Sequence, residues 1–334
     1  MQRRTFITGL AGIAGAVAMP HVRRAGAQSP LVMRFAHFGA DDHPSNIAAK
    51  QFAENVKKRT SGAVTINIFP NNALGSPPEM TEQTKLGVID MSLPTEGQLD
   101  KYEKGFGTVM LPFAFRDLAH VHKVLDSKEI ADWFVPMAAK QGFVMLSHWE
   151  YGFRNLTNNK RPINSPDDVK GLKVRTPPEI QLGACVEALG GIVTQIAFPE
   201  LYLALSQGVV DGEENPIAVI YFNKYYEVQK HLALTRHVYN NMIHVVSARS
   251  WAKLTPAQQE IFREESKSAG TLMRQLIAKD EDDQIKKLAG LKMAITKPDL
   301  APFKAKMGPA YTKISGYSGA DNVKKMLDII AKVG

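Results

Sequence analysis

The stretch Gly171–Pro216, GLKVRTPPEIQLGACVEALGGIVTQIAFPELYLALSQGVVDGEENP, decides the fold. Lys173–Thr176 is β-prone. Pro177-Pro178 ends that run, because proline cannot donate to a ladder but suits the first turn of a helix. From Glu179 to Leu189 the apolar residues Ile180, Cys185, Ala188 and Leu189 recur at helical spacing. Gly190-Gly191 closes that helix. A short strand follows, and then Phe198-Pro199-Glu200 opens a second helix that Gly208 closes. Asp211–Pro216, DGEENP, reads as a polar turn. Arg175 ends the strand and faces the Pro-Pro turn. Open α/β sheets bind ligands at the carboxyl ends of their strands. A plain exposed strand-end arginine, or one paired with Glu179, fits the spacing equally well.

The rest of the chain repeats strand and helix. Leu31–Phe38 and Val64–Phe69 read as strands, with a helix to about Thr60 between them. Ser76-Pro77-Pro78-Glu79 has the capping-box spacing, and its helix ends near Gly87 before a short strand at Met91–Pro94. Val144–Trp149 and Met242–Ser247 are further strands, and Met293–Thr296 is the last. Ser165–Asp168 starts a helix. The segment Lys85–Asp90, KLGVID, echoes Ser206–Asp211, SQGVVD. Thr255-Pro256 begins a long helical segment to about Lys287, either one helix or two joined by a kink at Ser268–Gly270. Asp321–Val333 is a C-terminal helix with Val323, Met326, Leu327 and Ile330 on one face. Alternation of this kind predicts an α/β protein with a largely parallel sheet.

With 334 residues the chain has length for about two domains. Its net charge is +8, but Arg3, Arg4, Arg23 and Arg24 sit within an acid-free N-terminus. The remainder is mildly basic without a basic tract, so nucleic-acid binding finds no support. Residues 1–27 order a basic start, the apolar run Phe6–Met19 and Ala25-Gly26-Ala27, which is the order of an export signal. Arg3-Arg4-Thr5-Phe6-Ile7 is similar to a twin-arginine motif, and a general secretory signal is the alternative. The mature chain is expected to begin near Gln28, outside the cytoplasm. Cys185 is the only cysteine, so no internal disulfide can form, and its place on an apolar helix face predicts a core residue.

Catalytic and cofactor motifs are missing: no HExxH, no CxxC pair, no phosphate-binding loop and no GxSxG. His37 and His43 stand near a strand end without further ligands, which predicts solvated or structural histidines. No cofactor, metal or catalytic residue is therefore assigned. What the sequence offers is recognition chemistry. Arg154 and Arg175 are strand-end or turn guanidiniums that grip carboxylates through two parallel hydrogen bonds. Asn215 offers a donor and an acceptor. Phe198 suits either a pocket wall or the core.

Three motifs in order, GLKVRTP, AFPELYLAL and GVVDGEENP, resemble the extracytoplasmic solute-binding proteins of TRAP transporters, the DctP type. GFRNLTNNKRPI (Gly152–Ile163) and IFPNNALG (Ile68–Gly75) extend the resemblance from about residue 31 to the C-terminus. It implies a two-lobed periplasmic-binding-protein fold with the ligand cleft between the lobes and a long helix spanning them. Lobe I would hold residues 29–151 and 241–280; lobe II would hold 152–240, with 281–334 packed back on both. The implied function is capture of a small organic acid, such as a C4-dicarboxylate or a sugar acid. Delivery would follow to the small and large membrane permease subunits for sodium-coupled import, with no catalysis and as a monomer. The Arg175 position would pair with the ligand carboxylate, and Arg154 would be a second cationic contact. Phe198 and Asn215 would line the cleft, and lobe I would contribute near His37, Phe38, Thr95 and Glu96. Glu213 would repel a dianion if it faced the cleft. The alternatives are an exported enzyme using Glu96 or Glu213 as acid or base, and a binding protein of an ABC importer.

Overall fold

The computed structural model describes residues 30–333. The expected export signal, residues 1–27, lies outside them. Ten strands form one connected sheet: β1 (Leu31–Ala36), β2 (Val64–Phe69), β3 (Met91–Ser92), β4 (Phe143–Asn158), β5 (Lys173–Thr176), β6 (Ile192–Gln195), β7 (Gly212–Pro216), β8 (His231–Ala233), β9 (Tyr239–Ser247) and β10 (Ala294–Thr296). Their order is β2-β1-β3-β9-β4-β7-β5-β6, with β8 joining β4 to β10.

The sheet is mixed, which departs from the largely parallel expectation. Parallel pairs occupy its wings: β1 with β2 and β3, and β5 with β6 and β7. The centre is antiparallel, because two long strands carry the chain across in opposite directions. β4 pairs with β9 through Phe153↔Tyr239, then with β7 from Arg154↔Pro216 onward. One strand thus belongs to both halves, and the boundary expected at residue 151 falls inside it. Gly152, at φ 118°, accompanies an irregularity in the pairing there.

Capping chemistry explains several helix starts. The Ser76–Glu79 box begins Pro77–Leu86, and Thr255 with Gln258 begins Pro256–Gly290. Gly87 and Gly208 both take the left-handed conformation, φ 78° and 68°, after a helix and before a strand. The sequence echo around them therefore marks two similar helix-to-strand turns.

The segment from Pro256 to Gly290 is a single helix of 35 residues, about 50 Å long at 1.5 Å per residue. The helix runs unbroken through Gly270. A Cβ there would come within 2.8 Å of the His148 carbonyl oxygen, so the glycine admits β4 at close range rather than breaking the helix. Phe262, Met273, Ile277 and Leu288 are buried along it, in one apolar cluster with Phe35 and Trp149 from one half and Leu232 and Tyr225 from the other. The helix packs on Pro44–Arg59, on β4 and on Ile217–Phe222, and so braces both halves.

DGEENP is not a turn. Gly212–Pro216 is β7, fully buried between β4 and β5. A run without apolar residues reads as solvent-facing, but the neighbouring strand β4 supplies its partners: Arg154 for Glu214 and Thr157 for Glu213. Cys185 is buried, as its helical position predicted.

Candidate functional site

A cavity of about 370 Å³ lies where the two halves of the sheet face each other. That volume is in the range of small-molecule sites. Its wall includes Phe38, Thr95, Tyr151 and Met242 on one side and Arg175, Glu179, Phe198 and Asn215 on the other, with Arg154 on the strand between them. Most of the remaining wall is apolar, from residues such as Leu93, Pro94, Pro177, Pro178 and Ile196.

Arg175 sits at the end of β5, where the Pro-Pro turn carries the chain away and leaves the strand's end open. It is only 1% exposed. Nε donates to the Ile196 carbonyl oxygen (2.9 Å), while buried Nη2 has no partner among the described residues. Burial pushes its pKa down, since desolvation penalises the charged form. The alternative pairing with Glu179 does not form: that carboxylate accepts from the Thr95 hydroxyl instead (2.8 Å). A buried guanidinium with an open donor and no carboxylate of its own is a site prepared for an anion.

Arg154 differs. It lies inside β4 rather than at a strand end, and it is already neutralised. Its guanidinium grips Glu214, with Nη2 to Oε1 at 2.9 Å, and also donates to Asn240 and Asn215 at 3.0 Å each. Burial opposes both charges, but the pairing outweighs it: the Arg154 pKa is raised and that of Glu214 is lowered. Tyr151 places its ring beneath the guanidinium, 5.7 Å from centroid to Cζ.

Asn215 reaches the wall with its amide already committed, accepting from Arg154 and donating to Glu213 (2.5 Å). Phe198 stands 5.9 Å from the Arg175 guanidinium and meets Phe38 edge-on at 5.9 Å, so an aromatic contact bridges the halves. Thr95 caps the short helix Glu96–Leu99 and reaches across to Glu179.

His37 and Glu96 are not part of the cavity wall. His37 is packed against Phe35, and burial lowers its pKa to about 4. Glu96 faces β9, where Oε2 accepts from the Asn241 amide (3.4 Å), and burial pushes its pKa well up. Both neighbour a cavity residue in sequence, Phe38 and Thr95, but point their side chains the other way. Glu213 is also behind the wall, held by Thr157 and Asn215, with burial raising its pKa to about 7.

Sequence reasoning missed the cavity role of Glu179, which had figured only as a partner for Arg175. It is 3% exposed, burial raises its pKa to about 7, and Oε2 has no partner among the described residues. Its place directly after the Pro-Pro turn, at the start of Ile180–Ala188, was the available signal. Asp100 was missed too. It ties the halves together by accepting from Gln181 Nε2 (2.8 Å) and from the Tyr317 hydroxyl (3.2 Å), and burial lifts its pKa to about 6. Among the described residues no group of three or more His, Cys, Asp or Glu side chains is placed to hold a metal ion.

Two facing α/β halves, a cleft between them and an unpaired cation in its wall define a two-lobed solute-binding protein. The sequence profile of bacterial extracellular solute-binding protein family 7, the DctP family, matches residues 35–316, and the chain belongs to that family. It is 33% identical over 262 residues to the 2,3-diketo-L-gulonate-binding periplasmic protein YiaO of Escherichia coli, covering 78% of this chain and 79% of that one. It is 31% identical over 302 residues to the C4-dicarboxylate-binding periplasmic protein DctP of Rhodobacter capsulatus, covering 88% and 89%. A TRAP periplasmic solute-binding protein from Polaromonas sp. JS666, solved with D-erythronate, superposes with a TM-score of 0.85 at 34% identity, covering 89% of this chain and 98% of that one. These are families of binding proteins, so the chain is a binding protein and not an enzyme.

Proposed function

We propose that the cleft captures a small organic acid outside the cytoplasm, with Arg175 as the anchor of its carboxylate. The observation that carries this reading is the buried Arg175 Nη2, open in a cavity wall and without an acidic partner. A carboxylate supplies what that donor lacks, in the two-pronged geometry a guanidinium favours. Arg154 then acts mainly through Glu214 and Asn215, shaping the wall while adding little net charge. Phe38, Phe198 and Thr95 close the cavity from both halves.

The relatives are named for a diketo sugar acid and for C4-dicarboxylates, and the Polaromonas structure carries a sugar acid. C4-dicarboxylates, sugar acids and related hydroxy or keto acids form the candidate class. Kinship to TRAP binding proteins supports delivery to a small and a large membrane subunit, with import driven by a sodium gradient. Residues 1–27 would direct export, by the twin-arginine or the general route. In this reading residues 29–151 and 241–280 would make up the first lobe, and 152–240 with 281–334 the second lobe and the C-terminal packing region.

A panel of organic acids tests the function by thermal shift, with product formation followed in parallel. A ligand at a hundred times its dissociation constant stabilises by about 2.7 kcal/mol. Stabilisation without turnover is expected. No stabilisation by any acid, or turnover of one, would contradict the proposal.

A further inference from the structure

Among the described residues the cavity wall holds one buried cation and one buried carboxyl with an open polar atom. Arg175 is the cation. Arg154 is spent on Glu214, and Lys101, at the rim, is about half exposed with Glu82 at 3.9 Å. Glu179 is the carboxyl: Oε1 receives the Thr95 hydroxyl, while Oε2 is buried without a partner among the described residues. Asp100 lines the same cavity, with both oxygens already bonded. Gly97 lies against the Glu179 carboxyl so closely that a Cβ would meet Oε2 at 2.5 Å. The Thr95 hydrogen bond holds the carboxyl there, against the Gly97 backbone.

A dicarboxylate would bring two negative charges to a cavity with one open guanidinium. Beyond Arg175 the wall offers that second carboxylate apolar residues, neutral polar groups such as Gln98, Gln195 and Asn215, Lys101 at the rim, and the acids Glu179 and Asp100. Like charges at close range in a buried site repel strongly. A ligand hydroxyl would instead donate to Glu179 Oε2 and satisfy a polar atom that is otherwise costly to bury. At about 370 Å³ the cavity does not select between small acids of equal carbon number by size, so polarity makes the selection.

Building on the organic-acid reading of the cleft, we infer that this site takes a hydroxylated monocarboxylate in preference to a dicarboxylate. Glu179 makes that choice, accepting a hydrogen bond from a ligand hydroxyl and repelling a second carboxylate. The charged groups acting on Glu179 are Arg154, Asp100, Glu214 and Glu96. Burial raises its pKa to about 7, so the repulsion strengthens as the proton leaves above neutrality.

D-erythronate and succinate, a monocarboxylate and a dicarboxylate of equal carbon number, provide the test. Each is titrated calorimetrically into the mature chain at about pH 8, where Glu179 is largely ionised. Erythronate is expected to bind at least about tenfold tighter than succinate. Glu179→Gln should narrow that ratio to within about threefold, because succinate gains and erythronate loses. Should the variant fail to fold, wild type alone still decides: the ratio should shrink when the titrations are repeated at about pH 6. Succinate binding as tightly as erythronate would overturn the inference and leave the organic-acid reading standing. A ratio unmoved by both the substitution and pH would do the same. Binding of neither these acids nor any in the wider panel would overturn both.

Discussion

Arg175 and Glu179 line the same cavity on either side of the Pro177-Pro178 turn, and they do not pair. Each has a buried polar atom left open, Nη2 on one and Oε2 on the other. The rigid turn explains the separation. Proline fixes its own φ and pushes the preceding residue toward extended backbone, so the chain cannot fold the glutamate back onto the strand end. Glu179 is directed instead to Thr95 in the facing half. One turn thereby leaves a cation open in the cavity wall and sends an acid across the cleft.

The cross-cleft contact predicts that Gly97 must stay small. Its Cβ would lie 2.5 Å from Glu179 Oε2, so Gly97→Ala should hold the halves apart and weaken ligand binding by about tenfold or more. Alanine is the better helix former by about 1 kcal/mol, so local propensity alone predicts no loss. Small-angle scattering should show the wild-type radius of gyration falling when ligand is added, as hinge closure requires. The variant should contract less. A variant that binds and contracts like wild type would remove Gly97 from the closing contact.

Buried Glu214 should be a point of high stability cost. Removing one partner of a buried pair leaves an uncompensated charge, at about 3–5 kcal/mol. Glu214→Ala should therefore lower the unfolding free energy by that order, as read by urea denaturation without ligand. Arg175→Ala should not, because Arg175 has no acidic partner to abandon. Equal losses in the two variants would refute the division of labour between the two arginines.

The raised pKa of Glu179 makes a signed prediction about pH. Its folded value, about 7, lies above the ordinary 4.5, so between these values the folded state binds the extra proton. Stability then falls as pH rises through that window. The full shift corresponds to roughly 3 kcal/mol. Buried His37, His43, His148 and His244 act in the opposite sense, because burial lowers their pKa values. The difference between wild type and Glu179→Gln isolates the carboxyl. Wild-type stability relative to the variant should decline from about pH 4.5 to about pH 7 and then level off. A flat difference curve would show that the carboxyl ionises normally.

Much of the frame was legible because local chemistry writes it. The KVRT strand, the Pro-Pro turn, the helix to Gly190 and the Ser76–Glu79 box are each set by residues within a few positions of one another. Arg175 could be placed at a strand end on that basis alone, and Phe198 at a helix entrance. What escaped was set by partners distant in sequence. The polar run in β7 reads as a turn until Arg154 and Thr157, from another strand, satisfy it. Arg154, expected as a second cationic contact, does line the cavity, and its pairing with Glu214 could not be read from the sequence. His37 and Glu96 were expected from the resemblance, but His37 packs against Phe35, and Glu96 opens the helix that Thr95 caps and turns its carboxyl to β9. Gly270 suggests a kink until the nearby His148 carbonyl shows why no side chain fits.

The central claim is that Arg175 holds the ligand's carboxylate, and calorimetric titration of Arg175→Ala and Arg175→Lys tests it most directly, using whichever acid stabilises wild type. A charge-assisted hydrogen bond is worth about 1.5–3 kcal/mol, and abandoning a buried charge costs about 3–5 kcal/mol. The alanine variant should therefore bind about a hundredfold more weakly or worse. Lysine should restore only part of the affinity, because an ammonium cannot reproduce the paired geometry. Alanine binding within about threefold of wild type would contradict the account, and the anchor would then have to be sought elsewhere in the cavity wall.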